Sequence, residues 1–344
     1  GLGDVYKRQL FIPLQGTRHD GHAFIEDAFR QGAGAALVRD GSPAVQGLLE
    51  KAGDEVLIRV ADPLTALGDI ARCWRSKFSA TVVAVTGSNG KTTTKEMAWH
   101  IIKQRLNCMK NMGNFNNLIG LPLSLFQLTE AHDVAILEMG MSEKGEIRRL
   151  ARISAPRTGL ITNIGPCHLE QLETLEDIRD AKAELFECLG SDDTAIVNHD
   201  DPMVAPLAEK TRAAVLSFGI KGGDNRAANI RNFNCAGTAF EIDVKGVVVQ
   251  VRLRLPGSHF VSNALAAASV AHTLNIGAED IRKGLEAFTG VPGRMETLEL
   301  GGVRIINDAY NANPVSMRAS LGTLSSLQSA NHKIAVLGDM LELG

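Results

Sequence analysis

The sequence predicts an α/β protein whose centre is a doubly wound, mostly parallel sheet. Three observations predict it. The 344 residues exceed one ordinary core, so two or three domains are expected. Apolar runs of strand length alternate with helix-length stretches, the pattern of parallel strands joined by crossovers. One run, TVVAV from Thr81, breaks into a glycine-rich turn and then the helix-like TTTKEMAWHIIKQR.

Taken in order, residues 1–80 read as a small α/β domain: LFIPL, HAFIEDAFRQ, AALVR, VLIRV and PLTALGDIARCWRSKF. Asp62 followed by Pro63 starts the last helix as a cap with proline in the first turn should. The opening GLGDVYKRQ precedes a strand with no element of its own, and part of it is expected to be non-native. Residues 81–293 form the central domain, with further strands at DVAIL, TGLIT, TAIVN and AAVLSFG. FEIDV and VVVQVRLRL pair as a hairpin, Lys245-Gly246 supplying the turn. Two helices follow, from about His259 and Ala278. Residues 294–344 begin a third domain: strand, Gly301-Gly302 turn, the strand VRIIND, a helix after Asn313-Pro314, and the strand KIAVLGD. A domain usually has ~100–150 residues, so this one is expected to be cut short.

A net charge of −3, with 44% hydrophobic and 22% charged residues, argues against a nucleic-acid groove or a membrane-surface patch. No apolar run approaches the ~20 residues of a spanning helix, and no signal peptide is recognisable. Five scattered cysteines without C-x-x-C spacing fit neither a disulfide framework nor a zinc site. A cytoplasmic monomer is expected.

The most specific signal is TGSNGKTTT, residues 86–94. A strand ends, Gly87, Ser88, Asn89 and Gly90 let backbone amides curl round an anion, and a helix N-terminus faces it. Lys91 can reach the β- and γ-phosphates of ATP, the Thr92 hydroxyl can hold Mg²⁺, and Thr93 completes the cradle. The loop is shorter than the common G-x-x-x-x-G-K-[ST]. This short form resembles that of the Mur ligases, which share it with folylpolyglutamate synthases; both families activate a carboxylate with ATP.

The Mur ligase resemblance implies three domains, with the last Rossmann-like and only partly present. It also implies two Mg²⁺ sites. Glu138, at the end of DVAIL, matches the family's magnesium-ligating glutamate, and His168, after TGLIT, matches a ligand of the second metal. Lys182, in AKAELF, would otherwise read as a solvent-facing lysine. The resemblance makes it a residue carbamylated by CO₂ that helps hold the second ion. Asn263, Arg294 and Asp308 match nucleotide-contacting positions.

Three segments bear on the substrates. LFIPLQGTRHDGHAFIEDAFRQGAGAALV, with Arg18 and Asp20, resembles a uridine-nucleotide-binding first domain. Asn114, Asn116 and Asn117 lie in NMGNFNNLIGLP, which resembles a motif of the dipeptide-adding branch; paired amide donors and acceptors suit peptide groups. Tyr310 and Asn311 lie in NDAYNANPVSM, similar to the same branch. The resemblance implies that ATP drives joining of UDP-N-acetylmuramoyl-tripeptide to D-alanyl-D-alanine through an acyl phosphate. This chain is expected to turn over poorly, because the uridine-contacting loop and much of the third domain are missing from it. Addition of a single amino acid, or folylpolyglutamate-synthase-like ligation, is the alternative. A phosphate-loop switch or a catalytically dead binding module fits the remaining motifs less well.

Overall fold

The computed structural model describes residues 9–16, 18–41, 56–167, 171–233, 236–327 and 332–340. Contacts divide the chain into two units, Gly1–Ser76 and Lys77–Gly344.

The first unit holds a three-stranded parallel sheet of β1 (Leu10–Phe11), β2 (Ala35–Arg39) and β3 (Val56–Val60), in that order. A single 3₁₀ turn, Gly21–Phe24, leads into α1 (Ile25–Arg30), and Ile25 packs with Ala36 and Val38 as a small core. The predicted cap is present: Asp62 Oδ2 accepts the Thr65 N–H at 2.8 Å, and Pro63 opens α2 (Pro63–Arg75).

The second unit is built on nine strands: β4 (Thr81–Thr86), β5 (Cys108–Lys110), β6 (Val134–Glu138), β7 (Thr158–Ile161), β8 (Thr194–Asn198), β9 (Ala214–Gly219), β10 (Asn225–Asn232), β11 (Thr238–Val244) and β12 (Val247–Leu253). Their order is β12-β11-β10-β9-β8-β7-β4-β6-β5. Every pair from β5 across to β10 is parallel, and β10–β11 and β11–β12 are antiparallel. β4 reads as one apolar run because both faces of the sheet are covered. On one face, Val83, Val85, Leu160 and Ile196 share a core with α3 (Lys91–Ile102), α7 (Ser258–Thr273) and α8 (Ala278–Ala287). On the other, Gly159 lies under Leu185 of α6 (Leu175–Glu187), which packs beside α5 (Glu146–Ser154).

The hairpin turn is as expected: Lys245 and Gly246 both take positive φ (45° and 89°), the primed turn that matches strand twist. Gly301 and Gly302 (57° and 79°) do the same between β13 (Glu296–Leu300) and β14 (Val303–Asn307). The side chain of Asn313 caps α9 (Pro314–Ser326).

Two strands escaped the pattern. β5 is three residues long, and β10, NRAANIRN, is too polar to read as a strand. Conversely, KIAVLGD, expected as a strand, lies in irregular chain, with Ile334 and Val336 80% and 93% exposed. An extended segment becomes a strand only where a neighbour offers ladder hydrogen bonds, and no described strand pairs with it.

Candidate active site

β4 delivers Thr86 to the C-terminal rim of the sheet, where crossover topology gathers loops and helix N-termini. The next residues turn through Gly87 (φ 144°) to Gly90 (φ 79°), which starts α3. A Cβ on Gly87 would overlap the Thr162 hydroxyl, and one on Gly90 the Asn263 carboxamide, so both positions require glycine. The residues after β7 hold the turn. The Ser88 hydroxyl donates to the Gly165 carbonyl (2.9 Å), and the Asn89 N–H donates to Asn163 Oδ1 (2.9 Å). The Asn89 carbonyl accepts from Thr162 Oγ1 (2.6 Å) and Asn163 Nδ2 (2.9 Å). This is a preformed curl of backbone at a helix N-terminus, a cradle for an anion.

Lys91 folds back over the curl, its Nζ donating to the carbonyls of Gly87 (2.7 Å) and Ser88 (3.2 Å). Burial pushes its ammonium below the usual lysine range, and the nearby Glu138 opposes the shift. The Thr92 hydroxyl donates to Glu138 Oε2 at 2.8 Å, and Thr93 is buried behind it. Glu138 ends β6 and is 2% exposed. Its Oε1 accepts from Asn116 Nδ2 at 2.9 Å, and Lys95 Nζ lies 3.8 Å from Oε2. A hydroxyl and a carboxylate converging beside the anion cradle are the hard oxygen donors that magnesium takes. They fit that ion. Among the described residues no three His, Cys, Asp or Glu side chains gather to hold a metal. His168 lies outside the described residues.

Lys182, on α6, is 2% exposed rather than solvent-facing. Burial, and then the charge of Lys91, lowers its pKa to about 7. A cavity of ≈ 1540 Å³ joins Ser88, Lys91 and Cys167 to Asp308, Tyr310 and Asn313 of the third segment.

The chain matches the Mur ligase middle domain over residues 85–271 and the Mur ligase glutamate ligase domain over residues 293–344. It is 38% identical to the UDP-N-acetylmuramoyl-tripeptide–D-alanyl-D-alanine ligase of Bacillus subtilis, over 98% of this chain and 72% of that protein.

The chain belongs to the Mur ligase family.

Among solved structures, MurF from Acinetobacter baumannii superposes with a TM-score of 0.91 at 34% identity, covering 98% of this chain and 73% of that one. The MurF ligase of Thermotoga maritima in complex with ADP gives 0.87 at 31% identity, covering 99% and 77%.

In this Mur ligase the asparagine-rich segment divides its labour. Asn114 is exposed, Asn116 is bonded to Glu138, and Asn117 Oδ1 accepts the N–H groups of Ile119 and Gly120 (3.1 and 2.8 Å) at the start of α4 (Gly120–Leu125). Asn263 is buried against Gly90, not on a helix surface. The Arg294 guanidinium stacks on the Tyr310 ring at 4.2 Å, while the rest of Tyr310 and Asn311 is exposed. Asp308 accepts the Met295 N–H at 3.0 Å and the Ser320 hydroxyl. In the first unit Arg18 is exposed. Asp20 accepts from the His22 N–H at 3.0 Å and pairs with the buried His22 ring at 2.7 Å.

Four residues at this site were missed in the sequence. Asn163 and Thr162 follow a strand, the position already used to single out Glu138. Asn111 exchanges hydrogen bonds with the Glu138 backbone, its Oδ1 accepting at 2.9 Å and its Nδ2 donating at 3.0 Å. Lys95, one turn after Lys91, is fully buried and donates to the Asn111 carbonyl at 2.8 Å.

Proposed function

We propose that this chain is an ATP-dependent ligase that joins D-alanyl-D-alanine to UDP-N-acetylmuramoyl-tripeptide in peptidoglycan precursor synthesis. The observation that carries the reading is the Thr92–Glu138 contact of 2.8 Å beside the phosphate loop. The Bacillus subtilis relative that bears this reaction's name supports the choice of substrates.

The tripeptide carboxylate attacks the γ-phosphorus of ATP, the bond to the β,γ-bridging oxygen breaks, and ADP leaves. The dipeptide amine then adds to the acyl phosphate, giving a tetrahedral intermediate that expels phosphate. The amides of residues 87–92 and the Lys91 ammonium hold the phosphates and take up charge on the transferring group. Thr92 and Glu138 would hold Mg²⁺, which offsets repulsion between two anions that must meet. His168 and Lys182 are assigned to a second ion. Lys182 suits carbamylation because only the free amine reacts with CO₂, and at a pKa of about 7 much of it is free near neutrality. With ¹³C-labelled bicarbonate, NMR should show a carbamate resonance that Lys182→Met lacks.

Asn263, Arg294 and Asp308 are assigned to the nucleotide, and Arg18 and Asp20 to the uridine nucleotide. Asn114, Asn116, Asn117, Tyr310 and Asn311 are assigned to the peptide partners. Among the described residues no helix is long and apolar enough to cross a membrane, and we place the enzyme in the cytoplasm as a monomer of three domains.

Phosphate release tests the reaction. The enzyme offered ATP and the tripeptide should release phosphate with D-alanyl-D-alanine and not with L-glutamate. Release that ignores the tripeptide, or that L-glutamate triggers equally, overturns it.

A further inference from the structure

Lys95 is a charge that the reaction above does not use. It is completely buried, three residues after the magnesium-binding Thr92. Its Nζ donates to the Asn111 carbonyl (2.8 Å) and lies 3.5 Å from Glu96 Oε1 and 3.8 Å from Glu138 Oε2. Glu96 is itself paired with Lys110, which sits 3.9 Å over the Trp99 ring. Charges therefore alternate inward from Lys110 through Glu96 and Lys95 to Glu138. Neither Thr92 nor Asn116 brings a charge, so the groups in direct contact with the carboxylate are one ammonium and two neutral donors, with the Lys91 ammonium nearby but tied to the loop carbonyls.

We infer that Lys95 is a positioning residue that makes metal binding at Glu138 conditional on nucleotide. The ammonium cancels much of the carboxylate's field where a divalent cation would sit. Interactions at this separation in a desolvated site are strong. The protein alone thus offers a nearly neutral site, and the phosphates must supply the missing negative charge. Metal and nucleotide enter together. A bare divalent ion does not occupy the cradle ahead of ATP, and Lys91 keeps its grip on the loop carbonyls until the phosphates arrive.

This inference rests on reading Thr92 and Glu138 as a metal-binding pair, and the experiment separates the two. Binding of Mn²⁺ to the chain, alone and with ADP, is measured by electron paramagnetic resonance for parent, Lys95→Met, Lys95→Arg, Glu96→Gln and Glu138→Gln. Lys95→Met should bind Mn²⁺ alone at least about tenfold more tightly than parent, and ADP should add little further enhancement. Lys95→Arg, which keeps the charge, should behave as parent. Glu96→Gln strips an acid from beside Lys95 and should weaken Mn²⁺ binding severalfold, an opposite shift that decides the matter even if Lys95→Met fails to fold. If Glu138→Gln leaves Mn²⁺·ADP binding unchanged, the metal reading fails and takes this inference with it. If Glu138→Gln weakens binding while Lys95→Met and Glu96→Gln leave Mn²⁺ affinity at the parental value, Lys95 is only a tie to Asn111 and the inference alone falls.

Discussion

A lysine whose folded pKa is about 7, against an ordinary 10.5, leaves a signature in stability as well as chemistry. Between those values the unfolded chain carries a proton on Lys182 that the folded chain lacks, so folding weakens as pH falls through that window. Below about 7 both states are protonated, and the penalty stays at its maximum. Lys182→Met in CO₂-free buffer should therefore melt above the parent near neutral pH, with the gap narrowing toward the upper edge of the window. An equal gap at both ends would contradict the burial of a lone amine there. Residues on this scale were legible in the sequence when their chemistry is tied to the backbone. Lys91 and Thr92 follow directly from a strand end and a glycine turn, and Glu138 from its strand end taken together with the family resemblance. Lys95 was not legible, and neither was the burial of Lys182 and Asn263, which the resemblance singled out, because which face of a helix is covered depends on partners far away in the chain. Asn116 shows the same limit: its residue type suggests peptide recognition, and nothing in the sequence signals that it also donates to Glu138.

Elements are held by their ends. Asp62 caps α2 through Thr65 and pairs with Arg39 at 2.8 Å, and these contacts lower its pKa to about 2, chiefly through the Thr65 hydroxyl. The stabilisation is complete above the ordinary carboxylate pKa and is lost as pH falls toward about 2. Asp62→Ala should cost about 1 kcal/mol near neutral pH and almost nothing at the acid end, read from denaturant midpoints at several pH values. The phosphate loop depends instead on the absence of side chains. Gly87→Ala and Gly90→Ala each force a Cβ into Thr162 or Asn263 at positive φ. Strain of ~1–3 kcal/mol should weaken ADP binding about tenfold or more in calorimetry. An alanine variant that binds ADP like the parent would show that the curl is not the cradle. The loop was legible because glycine, lysine and hydroxyl must follow one another there. The KIAVLGD segment was misread because a strand pattern states a preference, and only a neighbouring ladder realises it.

At the scale of the whole second unit, one bond spans more of the chain than any motif. Asn313, the cap of α9, donates from Nδ2 to Asn89 Oδ1 in the phosphate loop at 2.7 Å. Asn313→Ala should remove both the cap and this tie, lowering ADP affinity severalfold and exposing the segment after β14 to protease; if neither changes, the contact carries no coupling. The strand order has a different consequence. β4 lies inside the sheet, flanked by β6 and β7, whose sequences come about fifty and about seventy-five residues later. Such long-range pairings close slowly. The partners that hold the phosphate curl, Thr162, Asn163 and Gly165, all follow β7, so the cradle takes these hydrogen bonds only once that strand has docked. Nucleotide capture should therefore serve as a report that the sheet has closed, since the curl is held by those later residues.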